Sequence, residues 1–424
     1  MDVESIRADF PILQRKIGDK PLIYFDNAAT TQKPRQVLHT IQEFYTTYNA
    51  NIHRSPHLLG QEATQLYDDA RTNVARFVGA DGTGEIIFVR NATEAVNLVA
   101  YSLSLGGSER LRLGRGDEVV CTVMEHHSNL VPWQKVRDWC GVTLRVVDVQ
   151  DDGALDMDQL EAAITARTRL VCCTHVSNVL GTVNPVQEIG WLAHQAGALF
   201  LVDGAQSVPH MPVDVKEIGC DFLAFSGHKM LAPLGIGVLY GRRELLEEMS
   251  PFLYGGGMVA DVNLEDATWN VLPWKFEAGT PNVCGAVALG GATDKRTGRR
   301  LEGAVDYLEQ IGMPEVQAHE RVLTGRTLEG LQAIEGVRVY GPLDPNRRSG
   351  VVAFTVERSD AHLVAQLLND EGIAVRSGSH CDFPLADRLA VEGTVRVSFY
   401  VYNTLAEVER FLEALEDIVR YRLL

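Results

Sequence analysis

The chain is short of the features that mark several large protein classes. It has only seven cysteines in 424 residues, an odd number, and none stands in a CxxC pair. That excludes a disulfide framework and a zinc ribbon, and it fits a reducing compartment. Positive charge is also short, with 39 Lys and Arg against 56 Asp and Glu and a net charge of −17. Such a balance repels phosphate backbones and disfavours a nucleic-acid partner. The start, Met1-Asp2-Val3-Glu4, lacks the basic flank and apolar run of a signal peptide. The longest charge-free stretch, Leu170 to Gln187, is broken by Thr174, Asn178, Gly181, Asn184 and Pro185, so it does not read as a membrane span. A soluble, cytoplasmic protein is expected. No GxxxxGK[ST] occurs, and no GxGxxG follows a strand, so a nucleotide site has little support. No HExxH occurs, and Pro56 breaks the helical spacing of His53 and His57, so no metal is expected.

What is present is a globular composition, 46% hydrophobic and 22% charged. Such a composition and length support a large core with one or more domains. Apolar runs at Glu85–Val89, Glu118–Val123, Leu144–Val149, Leu170–His175, Leu199–Val202, Phe222–Phe225 and Ile236–Tyr240 read as strands. Amphipathic runs at Thr93–Leu105, Leu130–Cys140, Asp156–Ala166 and Pro185–Ala196 lie between several of them. Near-continuous Val/Ile/Leu strands separated by helices predict a mostly parallel sheet covered on both faces. Beyond about Gly279 the pattern changes. A long helical region, about Gly285 to Gly336, precedes strands at Val337–Tyr340, Val351–Val356, Ile373–Arg376 and Val395–Phe399 and helices at Ala361–Asn369 and Thr404–Leu424. The expected division is a large domain over 21–284, and a smaller α+β domain made of 1–20 and 285–424 hung on a long connecting helix.

Ligands of parallel sheets sit at the carboxyl ends of strands. Four polar clusters fall there: Glu125-His126-His127, Ser177-Asn178, Asp203-Gly204-Ala205-Gln206 and Ser226-Gly227-His228-Lys229. Singly, Asp203 reads as a helix cap, Lys229 as a solvated side chain, and Asn178 and Gln206 as turn residues. Together they suit pyridoxal 5'-phosphate (PLP). Lys229 would carry the cofactor and Asp203 would pair with its pyridinium nitrogen. His126 would lie over the ring, and Asn178 and Gln206 would donate to the ring oxygen. Ala92 and Thr93 open a helix whose N–H groups suit the phosphate, with Ser226 and His228 closing the cradle.

Phe25-Asp26-Asn27-Ala28-Ala29-Thr30, Met124-Glu125-His126-His127-Ser128-Asn129, His175-Val176-Ser177-Asn178, Asp203-Gly204-Ala205-Gln206 and Ser226-Gly227-His228-Lys229 resemble the class V, fold type I PLP enzymes. Within these the chain resembles the cysteine desulfurases of the SufS/Csd type, from about Phe10 to its C-terminus. The resemblance implies the PLP-transferase fold type I, a homodimer with shared sites, and L-cysteine as substrate. Glu277-Ala278-Gly279-Thr280 resembles the segment whose threonine reaches the neighbouring subunit's phosphate, and His53-Arg54 a segment near the dimer cleft. Arg376-Ser377-Gly378-Ser379-His380-Cys381 resembles the loop of the catalytic cysteine, and Arg396 the clamp on the substrate carboxylate. Asn27, Arg376 and His53 are further expected substrate contacts. Lys229 would move the α-proton, and Cys381 would attack the substrate sulfur. Alanine would leave, and a sulfur-acceptor protein of an iron–sulfur assembly system would take the sulfur from a Cys381 persulfide.

The loop departs from the family pattern: Asp382 stands where alanine is usual. An ionised carboxylate beside a thiol opposes thiolate formation, so slow cysteine turnover is expected. That would favour a selenocysteine lyase (taking L-selenocysteine) or a cysteine sulfinate desulfinase as the alternative on this scaffold. An epimerase or aminotransferase is disfavoured because neither needs Cys381, and a non-enzymatic scaffold because Lys229 and Asp203 are both present. Ala92 replaces a common hydroxyl residue, which removes one expected phosphate bond. The other six cysteines, Cys121, Cys140, Cys172, Cys173, Cys220 and Cys284, read as buried packing residues.

Overall fold

The large sheet follows from its strands' composition. In a computed structural model describing residues 1–423, seven strands form it: β1 (Ile86–Val89), β2 (Glu118–Thr122), β3 (Thr143–Val147), β4 (Thr168–Thr174), β5 (Leu199–Asp203), β6 (Phe222–Ser226) and β7 (Gly237–Gly241). Their order is β1-β7-β6-β5-β4-β2-β3. All pairings are parallel except those of β7, which runs antiparallel to both β1 and β6. Alternate residues feed different cores. Cys173 and Val120 face one layer, while Cys172 and Cys121 face the other, as a period of two requires.

Helices Ala92–Leu105, Val131–Cys140 and Val186–Gln195 cover the sheet. The first is capped by Asn91, whose Oδ1 accepts the Glu94 N–H at 3.0 Å. It docks closely because Gly237 on β7 faces the Asn91 backbone, where a Cβ would lie 2.6 Å from the Asn91 Cα.

The expected long connecting helix is instead three helices, Val283–Gly290, Ala304–Ile311 and Met313–Ala333. A two-stranded excursion, Ala292–Thr293 with Arg300–Leu301, separates the first two. Gly291 (φ 70°) and Gly312 (φ 89°) adopt the left-handed backbone that ends each helical run. The second sheet orders β8 (Val337–Tyr340), β9 (Val351–Val356), β10 (Arg376–Gly378) and β11 (Thr394–Ser398) as β8-β9-β11-β10, all antiparallel. The single expected strand Ile373–Arg376 is divided. Ile373–Ala374 pairs parallel with Ile23–Tyr24, while Arg376 begins β10. The C-terminal helix covers Leu405–Ile418, with Val419–Leu423 in a wider turn; Leu424 lies outside the described residues. Phe10 packs edge-on to Tyr307 and 4.5 Å from the Tyr402 ring, so the N-terminal segment joins the second half of the chain.

Candidate active site

Four consecutive strand ends meet the Cys381 loop around one cavity of about 210 Å³. From the sheet side it is lined by Ala92, Thr93, His126, Asn178, Asp203, Gln206, Ser226, His228 and Lys229, and from the other side by Arg376, His380, Cys381 and Arg396.

Lys229 follows β6. Burial brings its ammonium down to about 8, against the pull of Asp203 and with help from Arg396 and Arg376. Asp203 ends β5. Burial pushes its carboxyl up, while the Ala205 N–H at 2.9 Å and Lys229 stabilise the ionised form. His126 is brought down to about 3, mainly by burial and then by Lys229. Its Nδ1 accepts the Ser128 N–H at 3.1 Å, so a neutral ring faces the cavity. Gln206 is anchored by Nε2 donating to Ala28 O at 2.7 Å. Ser226 Oγ accepts the Ala92 N–H at 2.9 Å, which leaves its own proton to donate elsewhere.

Arg396, on β11, is fully desolvated and brought down to about 10. Nη1 donates to Asn178 O at 2.8 Å and Nη2 to Asp26 Oδ1 at 3.2 Å. Arg376 Nη2 lies 3.9 Å from Cys381 Sγ. Asn178 departs from its expected role, because Nδ2 donates to His380 O at 2.9 Å and so holds the cysteine loop. His380 (φ 56°) and Cys381 (φ 64°) are consecutive non-glycine residues in the left-handed region. Each such residue costs about 1–3 kcal/mol.

Three expected residues lie elsewhere. Asn27 is buried, and its amide is consumed by Ser398 O at 2.7 Å, Asn403 Oδ1 at 3.0 Å and the Tyr402 hydroxyl. It ties the N-terminal segment to the second half of the chain and does not reach the cavity. His53 and Thr280 share a separate surface cavity of about 620 Å³ with Arg54, Asp68 and Trp274.

Asp382 also differs from expectation. Its side chain is buried and caps helix Phe383–Arg388 by accepting the Leu385 N–H at 3.3 Å. Burial pushes the carboxyl up to about 8, so at neutral pH it is mostly uncharged. The carboxylate expected to oppose the thiolate is therefore largely absent. Of the other cysteines, five are buried as expected, but Cys140 is only half-buried.

Two residues of consequence carried no assigned role in the sequence. Asp26 pairs with Arg396 across 370 positions, and only its place inside the Phe25–Thr30 motif hinted at it. Glu125 is buried beneath His126 and accepts from Thr122 Oγ1 at 2.7 Å, Asn129 Nδ2 at 2.6 Å and Thr174 N at 3.0 Å. Burial raises its carboxyl to about 8, so it braces β2 against β4 in a mostly neutral form.

The residues present fit PLP. Among the described residues, Gln206 Oε1, His228 Nδ1 and Arg396 Nε are buried without a hydrogen-bond partner, a set that a polar anionic ligand satisfies. A desolvated lysine, a buried aspartate and a helix N-terminus converge on the same cavity. Fold and site together define a fold type I PLP enzyme.

Comparison with known proteins narrows the class. The Aminotransferase class-V family model matches residues 23–411. The chain is 47% identical over 421 residues to a probable cysteine desulfurase of Halalkalibacterium halodurans, covering 99% of each. It is 46% identical over 429 residues to a cysteine desulfurase of Haloferax volcanii, covering 98% of this chain and 96% of that protein. The apo cysteine desulfurase of Thermococcus onnurineus NA1 superposes with a TM-score of 0.89 at 43% identity, over 98% of both chains. The cysteine desulfurase CsdA of Escherichia coli gives 0.88 at 36% identity, over 100% of both chains. The chain belongs to the class-V aminotransferase family and, within it, to the PLP-dependent cysteine desulfurases.

Proposed function

We propose that the chain removes sulfur from L-cysteine, giving L-alanine and a persulfide on Cys381. The supporting observation is that one cavity holds Lys229, Asp203 and His126 opposite Arg396 and Cys381. PLP held by Lys229 supplies an electron sink that accommodates negative charge developing at the substrate α-carbon. Asp203 holds the proton on the pyridine nitrogen, and the neutral His126 ring covers one face. Thr93, Ser226 and His228 receive the phosphate. Arg396 binds the substrate carboxylate through its guanidinium, oriented by Asp26 and Asn178 O. Lys229 takes the α-proton and returns one to carbon; burial brings its pKa close enough to neutrality for both directions.

Cys381 attacks the substrate sulfur as thiolate. A sulfur–sulfur bond forms, and the carbon–sulfur bond breaks with its electron pair left on the substrate carbon, which a proton then quenches. The sum is cysteine plus the Cys381 thiol giving alanine plus the Cys381 persulfide. A homodimer is part of the proposal. Thr280 is exposed and lines a cavity with His53 away from this chain's own site, which suits a contribution to a partner copy. A protein thiol of an iron–sulfur assembly system is the proposed acceptor. A cytoplasmic location suits the free cysteines; among the described residues, no helix is long and apolar enough to cross a membrane. The selenocysteine and sulfinate alternatives drew their support from a charged Asp382, and its burial withdraws that support.

The test is product analysis with L-cysteine, with and without a dithiol. Wild type should give equal alanine and sulfide when the dithiol is present. Cys381→Ala should give neither while keeping the cofactor's visible absorption. Undiminished sulfide production by that variant rejects the assignment.

A further inference from the structure

The left-handed pair His380 and Cys381 persists only where surrounding contacts over-determine it. Asn178 supplies one tie, to His380 O. The others come from a single residue, His127. Its backbone N–H donates to Cys381 O at 2.9 Å. On the far side of the cysteine, the Phe383 N–H donates to His127 Nε2 at 3.1 Å. The Phe383 ring lies against the imidazole, with centroids 4.9 Å apart. One histidine therefore grips the main chain on both sides of the sulfur carrier. Burial lowers the pKa of its ring, which keeps Nε2 free to accept.

The grip matters because Cys381 stands in a shared wall. It lines the Lys229 cavity and also a groove of about 500 Å³ formed by Tyr101, Val131, Trp139 and His127. A small change in loop geometry decides which side the sulfur faces. We infer that His127 is a positioning residue for sulfur abstraction: by accepting the Phe383 N–H, Nε2 fixes the loop in the conformation that presents Cys381 Sγ to the Lys229 cavity. The inference rests on Cys381 being the sulfur carrier.

The test compares holoenzymes carrying His127→Phe, His127→Ala and His127→Gln. The backbone N–H survives in all three. Phenylalanine keeps a ring against Phe383 but offers no acceptor, while glutamine places an amide oxygen near the position of Nε2. Kcat and KM for L-cysteine, the rate of Cys381 alkylation by iodoacetamide and the visible cofactor absorption are measured together. The Phe and Ala variants should lose about 10- to 100-fold in kcat, as a misplaced reacting group does, with KM and cofactor absorption unchanged. Cys381 should alkylate faster in both, and His127→Gln should recover most of the kcat. Wild-type kcat in His127→Phe overturns the inference, as does a glutamine variant as slow as alanine. Loss of cofactor absorption in His127→Phe also overturns it, by making the ring part of the cofactor site. Cys381→Ala separates the two failures. If it remains active, the sulfur-carrier assignment falls; if it is inactive while His127→Phe is normal, only the positioning role falls.

Discussion

The two walls of the active-site cavity are built differently. Lys229, Asp203, His126 and Asn178 stand at or just beyond the ends of β6, β5, β2 and β4, and the hydrogen-bonded register of a buried parallel sheet fixes their separations. Cys381 stands on a loop between β10 and β11, in a backbone conformation that L-residues avoid, and is held by discrete ties to Asn178 and His127. The contrast follows the chemistry. A cofactor site needs fixed geometry. A sulfur carrier must meet the substrate on one side and an acceptor on the other, so it belongs on an element that can be released. Substitutions in the sheet wall should therefore abolish cofactor chemistry outright. Those in the loop wall should leave the cofactor in place and change what the thiol can reach.

The sharpest way to break that contrast is at Lys229. Lys229→Ala should lower alanine formation by about 10⁴-fold or more, since both the attachment point and the proton carrier are removed. Mass spectrometry of borohydride-reduced protein should find one added cofactor per wild-type chain and none on the variant. Cofactor still fixed to the variant would place the attachment elsewhere and undo the assignment of the sheet wall.

A smaller effect is expected where the two walls meet. Arg396 is on the loop-side sheet yet is oriented by Asp26 and by Asn178 O. Arg396→Lys keeps the charge but loses the fork that meets a carboxylate bidentately. Kcat/KM for L-cysteine should fall roughly 30- to 150-fold, the equivalent of about 2–3 kcal/mol for a hydrogen bond to a charged group. Asp26→Asn should act mainly through KM. A pure kcat effect from either variant would mean that Arg396 serves the thiol rather than the substrate carboxylate.

The same contrast explains what could be read from the sequence. All seven strands of the large sheet were legible, because apolar runs between turn signals report burial directly; Phe222–Ser226 and Leu199–Asp203 differ from expectation by single residues. Residues at those strand ends were legible too, since a parallel sheet sends its loops to one face. What failed was whatever depends on distant partners. Asn27 looked available until Ser398, Asn403 and Tyr402 consumed its amide. Asp26 found Arg396 far along the chain, and no local pattern encodes such a pair. The long helix failed for a different reason. Apolar content continues through Gly290-Gly291, and only the left-handed Gly291 ends the helix there.

Asp382 offers the finest test, because sequence and structure assign it opposite charges. In the folded chain its carboxyl is pushed up to about 8 from an ordinary 3.8, first by burial and further by the nearby Glu125. A group with a raised folded-state pKa contributes stability that is complete below the unfolded value and lost as pH rises through the folded one. Wild type should therefore lose stability between about pH 4 and pH 8 as Asp382 is driven to ionise in place. Asp382→Asn keeps a good helix cap and has nothing to titrate. Thermal melts from pH 5 to pH 9 should show the variant gaining on wild type by at least about 1 kcal/mol, the worth of less than one pKa unit. Glu125, also raised to about 8, leaves a residual slope common to both proteins. Above pH 8 the wild-type cysteine turnover should fall as charge appears beside Cys381, and the variant's should not. Parallel melting curves would mean that Asp382 is already ionised at neutral pH. The loop wall would then carry the opposing carboxylate that its sequence suggests, and slow thiol chemistry would again need Asp382 as its cause.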